Sequence, residues 1–238
     1  MGKHYVIGDV HGEYDVLLAL VKKLPSDAKL IFVGDLVNRG LQSRDVIRFV
    51  RKNAFAVVQG NHETYLLENA NFFLHSIEIY REDKTKDFWS RLMGTEVLRS
   101  YGLLTEEIDD EVYLIDNPAV IEQLKKDLEW MENLPCYLEL GVFEGYDLPI
   151  VITHGSAGDF WHLKDDDFEK FKSICQSNRE EPLKENAIFN IYGHVIYPNV
   201  KMGDNFVCVD TGSGKKFEGA KLSAYCIETK EVFEVFKG

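Results

Sequence analysis

Cysteine is scarce in this chain of 238 residues: Cys136, Cys175, Cys208 and Cys226 are scattered and show no C-x-x-C spacing. A disulfide framework is therefore excluded, and reduced core thiols are expected. Positive charge is also short, with 27 Lys and Arg against 40 Asp and Glu and a formal net charge of −13. That balance excludes extended nucleic acid as a partner, so a phosphate-bearing substrate must find its cations locally. No run approaches the ~18 consecutive apolar residues of a membrane-spanning helix. The strand-like run His4–Ile7 starts almost at once, without a basic segment followed by an apolar one, and a cytoplasmic protein is expected. Internal repeats and low-complexity tracts are missing too. What is present suffices for a full core: 45% of residues are hydrophobic and 12% aromatic, which predicts one domain over residues 1–238.

Apolar runs and helical stripes alternate through the first sixty residues. His4–Ile7, Lys29–Val33 and Phe55–Val58 read as buried strands. Leu17, Leu20, Val21 and Leu24 mark a helix after the first strand. Val46, Ile47 and Val50 mark another, with Ser43 as its expected N-cap. The alternation predicts an α/β fold whose functional turns follow the carboxyl ends of strands. From 64 to about 135 the spacing turns helical (Leu66, Ala70, Phe73, Ile77, then Ile121, Leu124, Leu128, Met131), which predicts a helical insert. Within it, 105–111 reads as a loop, with room for a short strand at 112–115. Phe72, Phe73, Phe88 and Trp89 are read as its core or as cleft lining. From Tyr137 strands return at Ile150–Thr153, Ala187–Tyr192, Phe206–Val209, Leu222–Ile227 and Val232–Phe236, close enough together to require antiparallel pairing.

Three glycine-flanked turns carry chemistry: Gly8-Asp9-Val10-His11-Gly12, Gly34-Asp35-Leu36-Val37-Asn38-Arg39-Gly40 and Gly60-Asn61-His62-Glu63. Asp9 and His11, two apart, would share one side of an extended strand end and could grip one cation. Asp35 could bridge to a second ion completed by Asn61, His154 and His194. Oxygen and imidazole donors without thiolate suit Mn²⁺, Fe or Zn²⁺. Asp or Asn beside glycine is often only a turn former, but four of seven histidines sit next to Gly or Asn at expected strand ends, which a turn reading does not explain. Arg39 and Arg179 offer planar forks for phosphate oxygens, and His62, directly after Asn61, could act as general acid.

With Thr153-His154-Gly155, Tyr192-Gly193-His194, Leu98-Arg99-Ser100-Tyr101-Gly102 and Val209-Asp210-Thr211-Gly212 added, the ordered motifs resemble the phosphoprotein phosphatase family of metallophosphoesterases, in particular its small bacterial and bacteriophage members. The resemblance runs from residue 5 to about 228. It implies a calcineurin-like sandwich of two mixed β-sheets flanked by helices. It also implies two divalent ions, Mn²⁺ first with Fe, Zn or Ni as alternatives, one held by Asp9, His11 and Asp35 and the other by Asp35, Asn61, His154 and His194. The implied reaction is hydrolysis of a phosphorylated protein or small phosphate substrate by a metal-bridging hydroxide, with Arg39 and Arg179 on phosphate and His62 as acid.

The pattern departs at two places. Protein-directed relatives carry Asp where this chain has Asn38 and Arg where it has Gln59, and both changes remove charge. Asn38 orients His62 but stabilises its imidazolium poorly, and neutral Gln59 would subtract a cation from the phosphoryl pocket. A substrate with an easier leaving group than phosphoserine is expected. Symmetrical dinucleoside tetraphosphate hydrolases also lack that Asp and are the alternative function; a phosphate-binding protein without turnover is a third. Gly212-Ser213-Gly214-Lys215-Lys216 fails the G-x-x-x-x-G-K pattern and is read as a hairpin loop. Oligomeric state is left open.

Overall fold

A computed structural model describes residues 2–79, 94–104, 115–183 and 185–237. Among these residues ten strands form two five-stranded sheets. The first has the order β10(Val232–Phe236), β9(Lys221–Cys226), β1(His4–Ile7), β2(Lys29–Phe32), β3(Ala54–Val57). Its β1, β2 and β3 run parallel, while β9 and β10 pair antiparallel. The second has the order β4(Tyr137–Gly141), β5(Ile150–Thr153), β6(Phe189–Tyr192), β8(Phe206–Cys208), β7(Lys201–Met202). Here β5, β6 and β8 are parallel and the two edge strands antiparallel. Both sheets are mixed, in the calcineurin-like metallophosphoesterase arrangement that the motifs implied.

The strands are apolar on both faces because each face is covered. Along β1 and the segment from Leu30 to Val33, Ile7, Leu30 and Phe32 pack toward helices, while Val6, Ile31 and Val33 meet Ile150, Ile152, Ile191 and Val207 of the facing sheet. A period of two thus sends alternate residues into two separate cores. The helical layer includes α1(Tyr14–Val21), α2(Ser43–Asn53), α3(Asn61–Ile79), α4(Thr95–Ser100) and α5(Pro118–Glu132). Leu66, Ala70, Leu124, Leu128 and Met131 are buried there, so the described part of 64–135 is helical and packed on the first sheet. The expected loop and strand at 105–114, and the aromatic side chains at 72, 73, 88 and 89, lie outside the described residues. No helix among those described is long and apolar enough to cross a membrane. All four cysteines are buried and unbridged.

Three expectations change. Helices α6(Leu163–Asp166) and α7(Phe168–Ser177) follow β5, where the sequence reading found strands alone. Ser43 does not cap α2; it is the first helical residue, and its Oγ accepts the Asn38 N–H at 3.2 Å. The segment after Val209 is not a hairpin, because β8 and β9 belong to different sheets and this loop crosses between them.

Candidate active site

All six expected metal ligands are buried and sit in loops or helix starts beyond strand ends: Asp9 and His11 after β1, Asp35 after β2, Asn61 after β3, His154 after β5, His194 after β6. Among the described residues six non-glycines have positive φ, and five are His11, Asp35, Asn38, Arg39 and His194. Such backbone costs about 1–3 kcal/mol per residue and persists only where its surroundings hold it. Strand alternation therefore does not bring Asp9 and His11 together, contrary to expectation. His11 turns at φ 48°, with its N–H on Asp35 O at 2.8 Å.

Glu63 holds much of this strained backbone. Fully buried, it accepts N–H groups from Asp35 at 2.8 Å, Leu36 at 2.8 Å and Gly60 at 2.9 Å. The last contact has capping-box spacing, a glutamate at the third helical position reaching back to the helix entrance. That spacing in Gly60-Asn61-His62-Glu63 was the available signal for a role the sequence reading left unassigned.

The histidine tautomers follow from their partners. His11 Nδ1 lies 3.0 Å from Val37 O and His154 Nδ1 lies 2.9 Å from Val33 O. A carbonyl can only accept, so each Nδ1 carries the hydrogen and each Nε2 is bare. The bare His11 Nε2 has no hydrogen-bond partner and lies 3.4 Å from Asp35 Oδ2 and 3.9 Å from Asp9 Oδ2. The bare His154 Nε2 lies 2.9 Å from Asn61 Oδ1, 3.4 Å from Asp35 Oδ1 and 3.1 Å from His194 Nδ1. Lone pairs facing lone pairs at such distances repel unless a cation lies between them. Turning the Asn61 amide end for end or placing a hydrogen on His194 Nδ1 would relieve those two contacts, but the Asp35 oxygens would still face the bare nitrogens of His11 and His154. Backbone carbonyls behind both imidazoles supply the outer shell typical of metal-binding histidines. The donor set fits divalent cations, with Asp35 common to two converging clusters, His11 with Asp35 and His62, and Asp35 with His154 and His194.

Electrostatics agree. Burial, then Asp210 and Asp35, holds the Asp9 carboxyl well above its ordinary range; burial, then Glu63, does the same to Asp35. Burial also drives His11 and His154 well below theirs. Buried like charges of this density call for compensating cations. Asp210 is fully buried beside Asp9, its own carboxyl raised by burial, a role that the motif Val209-Asp210-Thr211-Gly212 does not by itself reveal.

His62 stands apart from the ligands in its partners. Its Nδ1 is 3.1 Å from Asn38 Nδ2 and its Nε2 is 3.3 Å from Arg39 Nη2. A nitrogen facing a guanidinium suits proton handling beside bound phosphate better than it suits a cation. Burial, then Arg39, His194 and Lys215, lowers His62 to about 3. His62 N–H also donates to Asp35 Oδ1 at 2.9 Å, tying the helix start to the shared carboxylate.

Arg179 lies just beyond the end of α7, exposed, and its charge reaches the site, lowering His194 after burial. The polar segment 176–181 is largely the solvated loop its composition suggests, but it is anchored at two points. Gln176 is buried, and Asn178 Nδ2 donates to Ser156 O at 2.8 Å, fastening Arg179 to the His154 loop. Gln59 also departs from expectation. It is buried, its Nε2 donates to Met131 O at 2.8 Å and its Oε1 accepts from Gln176 at 2.7 Å, so it knits helices together and does not face the phosphoryl pocket. The 212–216 loop, set aside as a hairpin, borders the site: a Cβ on Gly214 would sit 2.4 Å from His11 Cβ.

Comparison with known proteins agrees with this geometry. Residues 3–198 match the model of the calcineurin-like phosphoesterase family. The chain is 43% identical over 234 residues to serine/threonine-protein phosphatase 2 of Escherichia coli (strain K12), covering 94% of this chain and 92% of that protein. It is 36% identical over 175 residues to the symmetrical bis(5'-nucleosyl)-tetraphosphatase of Hamiltonella defensa subsp. Acyrthosiphon pisum (strain 5AT), covering 68% of this chain and 60% of that one. A solved serine/threonine phosphatase from Saccharomyces cerevisiae shares the fold at TM-score 0.55 and 15% identity, over 100% of this chain and 81% of that one. The converging donors and the family match lead to one conclusion: this chain belongs to the calcineurin-like phosphoesterases, metal-dependent hydrolases of phosphate esters.

Proposed function

We propose that the enzyme is a phosphatase of the protein-phosphatase branch that favours aryl phosphates and phosphoanhydrides over phosphoserine. The carrying observation is Asn38 Nδ2, 3.1 Å from His62 Nδ1, where a carboxylate would stabilise imidazolium. Asp9, His11 and Asp35 would hold one divalent ion, and Asp35, Asn61, His154 and His194 the other, with Mn²⁺ the first choice for such oxygen and nitrogen donors. When bound, the ions supply Lewis-acid charge and an activated water. Arg39 and Arg179 neutralise phosphoryl oxygens with planar forks.

His62 handles the proton of the leaving oxygen. Arg39 can only donate, so neutral His62 accepts it at Nε2 and carries its hydrogen on Nδ1, toward Asn38, whose buried Oδ1 lacks any other partner and accepts that hydrogen once the amide is turned end for end. That imidazole is aimed correctly but is a poor acid, because no carboxylate supports its charged form. A phenolate or phosphate leaves with little help from an acid; a serine alkoxide does not. The argument rests on Asn38 alone, since Gln59 is not at the pocket. A cytoplasmic location accompanies the reading, supported by four unbridged buried thiols.

Two other readings have specific support. Dinucleoside tetraphosphate hydrolysis is favoured by the missing carboxylate and by the tetraphosphatase relative, while the protein-phosphatase branch is favoured by a match over 94% of the chain. Measuring kcat/KM with Mn²⁺ on a phosphoserine peptide, a phosphotyrosine peptide and a dinucleoside tetraphosphate separates them, and clear preference for phosphoserine overturns the proposal. Phosphate binding with no turnover above a metal-free control would instead mark a binding protein.

A further inference from the structure

Beside Arg39 a groove of about 460 Å³ is lined by Arg39, Arg99, Lys216 and Lys237 with Glu13 and Glu96. Four cations against two carboxylates stand out on a chain of net charge −13. Lys237 is held by Glu13 at 2.5 Å. Arg99 and Lys216 are exposed and have no ion pair among the described residues. They come from distant parts of the chain, α4 and the loop crossing between the sheets, so the fold and not a local charge run assembles the patch. The groove is continuous with the catalytic centre through one side chain, since Arg39 both lines it and stands 3.3 Å from His62 Nε2.

We propose that this groove is a second anion subsite, which binds acidic side chains flanking the phosphorylated residue of an extended peptide. The inference rests on the proposed phosphatase reading. A peptide is favoured over a dinucleoside polyphosphate because the lining among the described residues carries no aromatic ring on which a base could stack, while exposed Leu41 offers an apolar contact beside Arg39. Carboxylates in an open groove gain modest attraction each, acting mainly on encounter and selection. The groove thus discriminates among substrates and takes no part in bond breaking.

The test compares two phosphotyrosine peptides, one with Asp and Glu flanks and one with Asn and Gln in their place, on the Mn²⁺-loaded enzyme and on Arg99→Glu/Lys216→Glu. The readout is the ratio of kcat/KM between the peptides, which is insensitive to the fraction of enzyme folded. The wild type should prefer the acidic peptide by about ten-fold at low salt, and the double variant should abolish or invert that preference. The wild-type preference should also collapse near ~1 M salt, where the screening length falls to about 3 Å. A ratio equal in both proteins, with turnover intact, overturns the subsite alone. Absence of wild-type turnover on both peptides and on p-nitrophenyl phosphate overturns the phosphatase reading instead. If the double variant loses activity on a dinucleoside tetraphosphate while the peptide ratio stays fixed, the groove takes a polyphosphate and the peptide assignment is wrong.

Discussion

Asn38→Asp probes the acid directly, because it changes charge with almost no change in shape. The residue is buried at φ 67°, a conformation that Asp tolerates about as well as Asn, and its N–H bond to Ser43 Oγ is untouched. A carboxylate 3.1 Å from His62 Nδ1 would accept the Nδ1 hydrogen and stabilise imidazolium. An opposite charge at this range raises a histidine by roughly 1–3 pKa units. From about 3, His62 would rise to roughly 4–6, and at neutral pH its imidazolium fraction would grow by about ten-fold to a thousand-fold. Proton donation is worth about 10²–10⁴-fold where the leaving group needs it, so the gain should concentrate on phosphoserine. We expect phosphoserine kcat/KM at pH 6 to rise at least about ten-fold, and p-nitrophenyl phosphate to change less than about three-fold. The alkaline limb of the phosphoserine profile should move up by about 1–3 pH units. Stopped assays extended from pH 9 down to about pH 3 with saturating Mn²⁺ bracket the wild-type limb and measure both. An unmoved limb together with an unchanged order of substrates would refute the assignment of His62 and Asn38.

Removing the metals should expose the cost of the buried carboxylates. Asp9, Asp35, Glu63 and Asp210 all have raised values, so the folded protein retains protons that the unfolded chain releases from about pH 4 upward, and stability falls as pH rises through the raised range. His11, His62, His154 and His194 are lowered, so their effect runs the other way and ends near pH 6.5. With EDTA, Tm should therefore decline as pH rises above about 6.5, where the histidine effect has ended, and Mn²⁺ should flatten that decline; equal slopes in both buffers would contradict the compensation argument. Gly214→Ala would press a methyl group into His11, whose Cβ lies 2.4 Å from the new atom, and should weaken binding of one Mn²⁺ by about ten-fold or more in calorimetry while the second ion binds normally.

The candidate metal site was legible because its residues punctuate strand ends in a fixed order. Asp9, His11, Asp35, Asn61, His154 and His194 each interrupt an apolar run beside glycine, and folding needs only to bring parallel strand ends together. Helix α7 was also legible in principle: Phe171, Ile174 and Cys175 recur on one face, and Asp167 accepts the Lys170 N–H at 3.2 Å as a cap. Gln59 misled because its neighbours in sequence belong to the site while its side chain turns inward.

By itself the sequence determined the two-sided apolar strands, the carboxylate and imidazole chemistry and the expectation of two cations, since these depend on residue type and local period. It also determined that Asn38 carries no charge, a matter of composition at one position. Tertiary structure alone decided that Asn38 meets His62, that Gln59 faces Gln176, that the Gly212–Lys216 loop crosses between sheets and that Arg99 and Lys216 share a groove with Arg39. Those pairings join residues far apart in the chain, and no local preference encodes which distant surfaces meet.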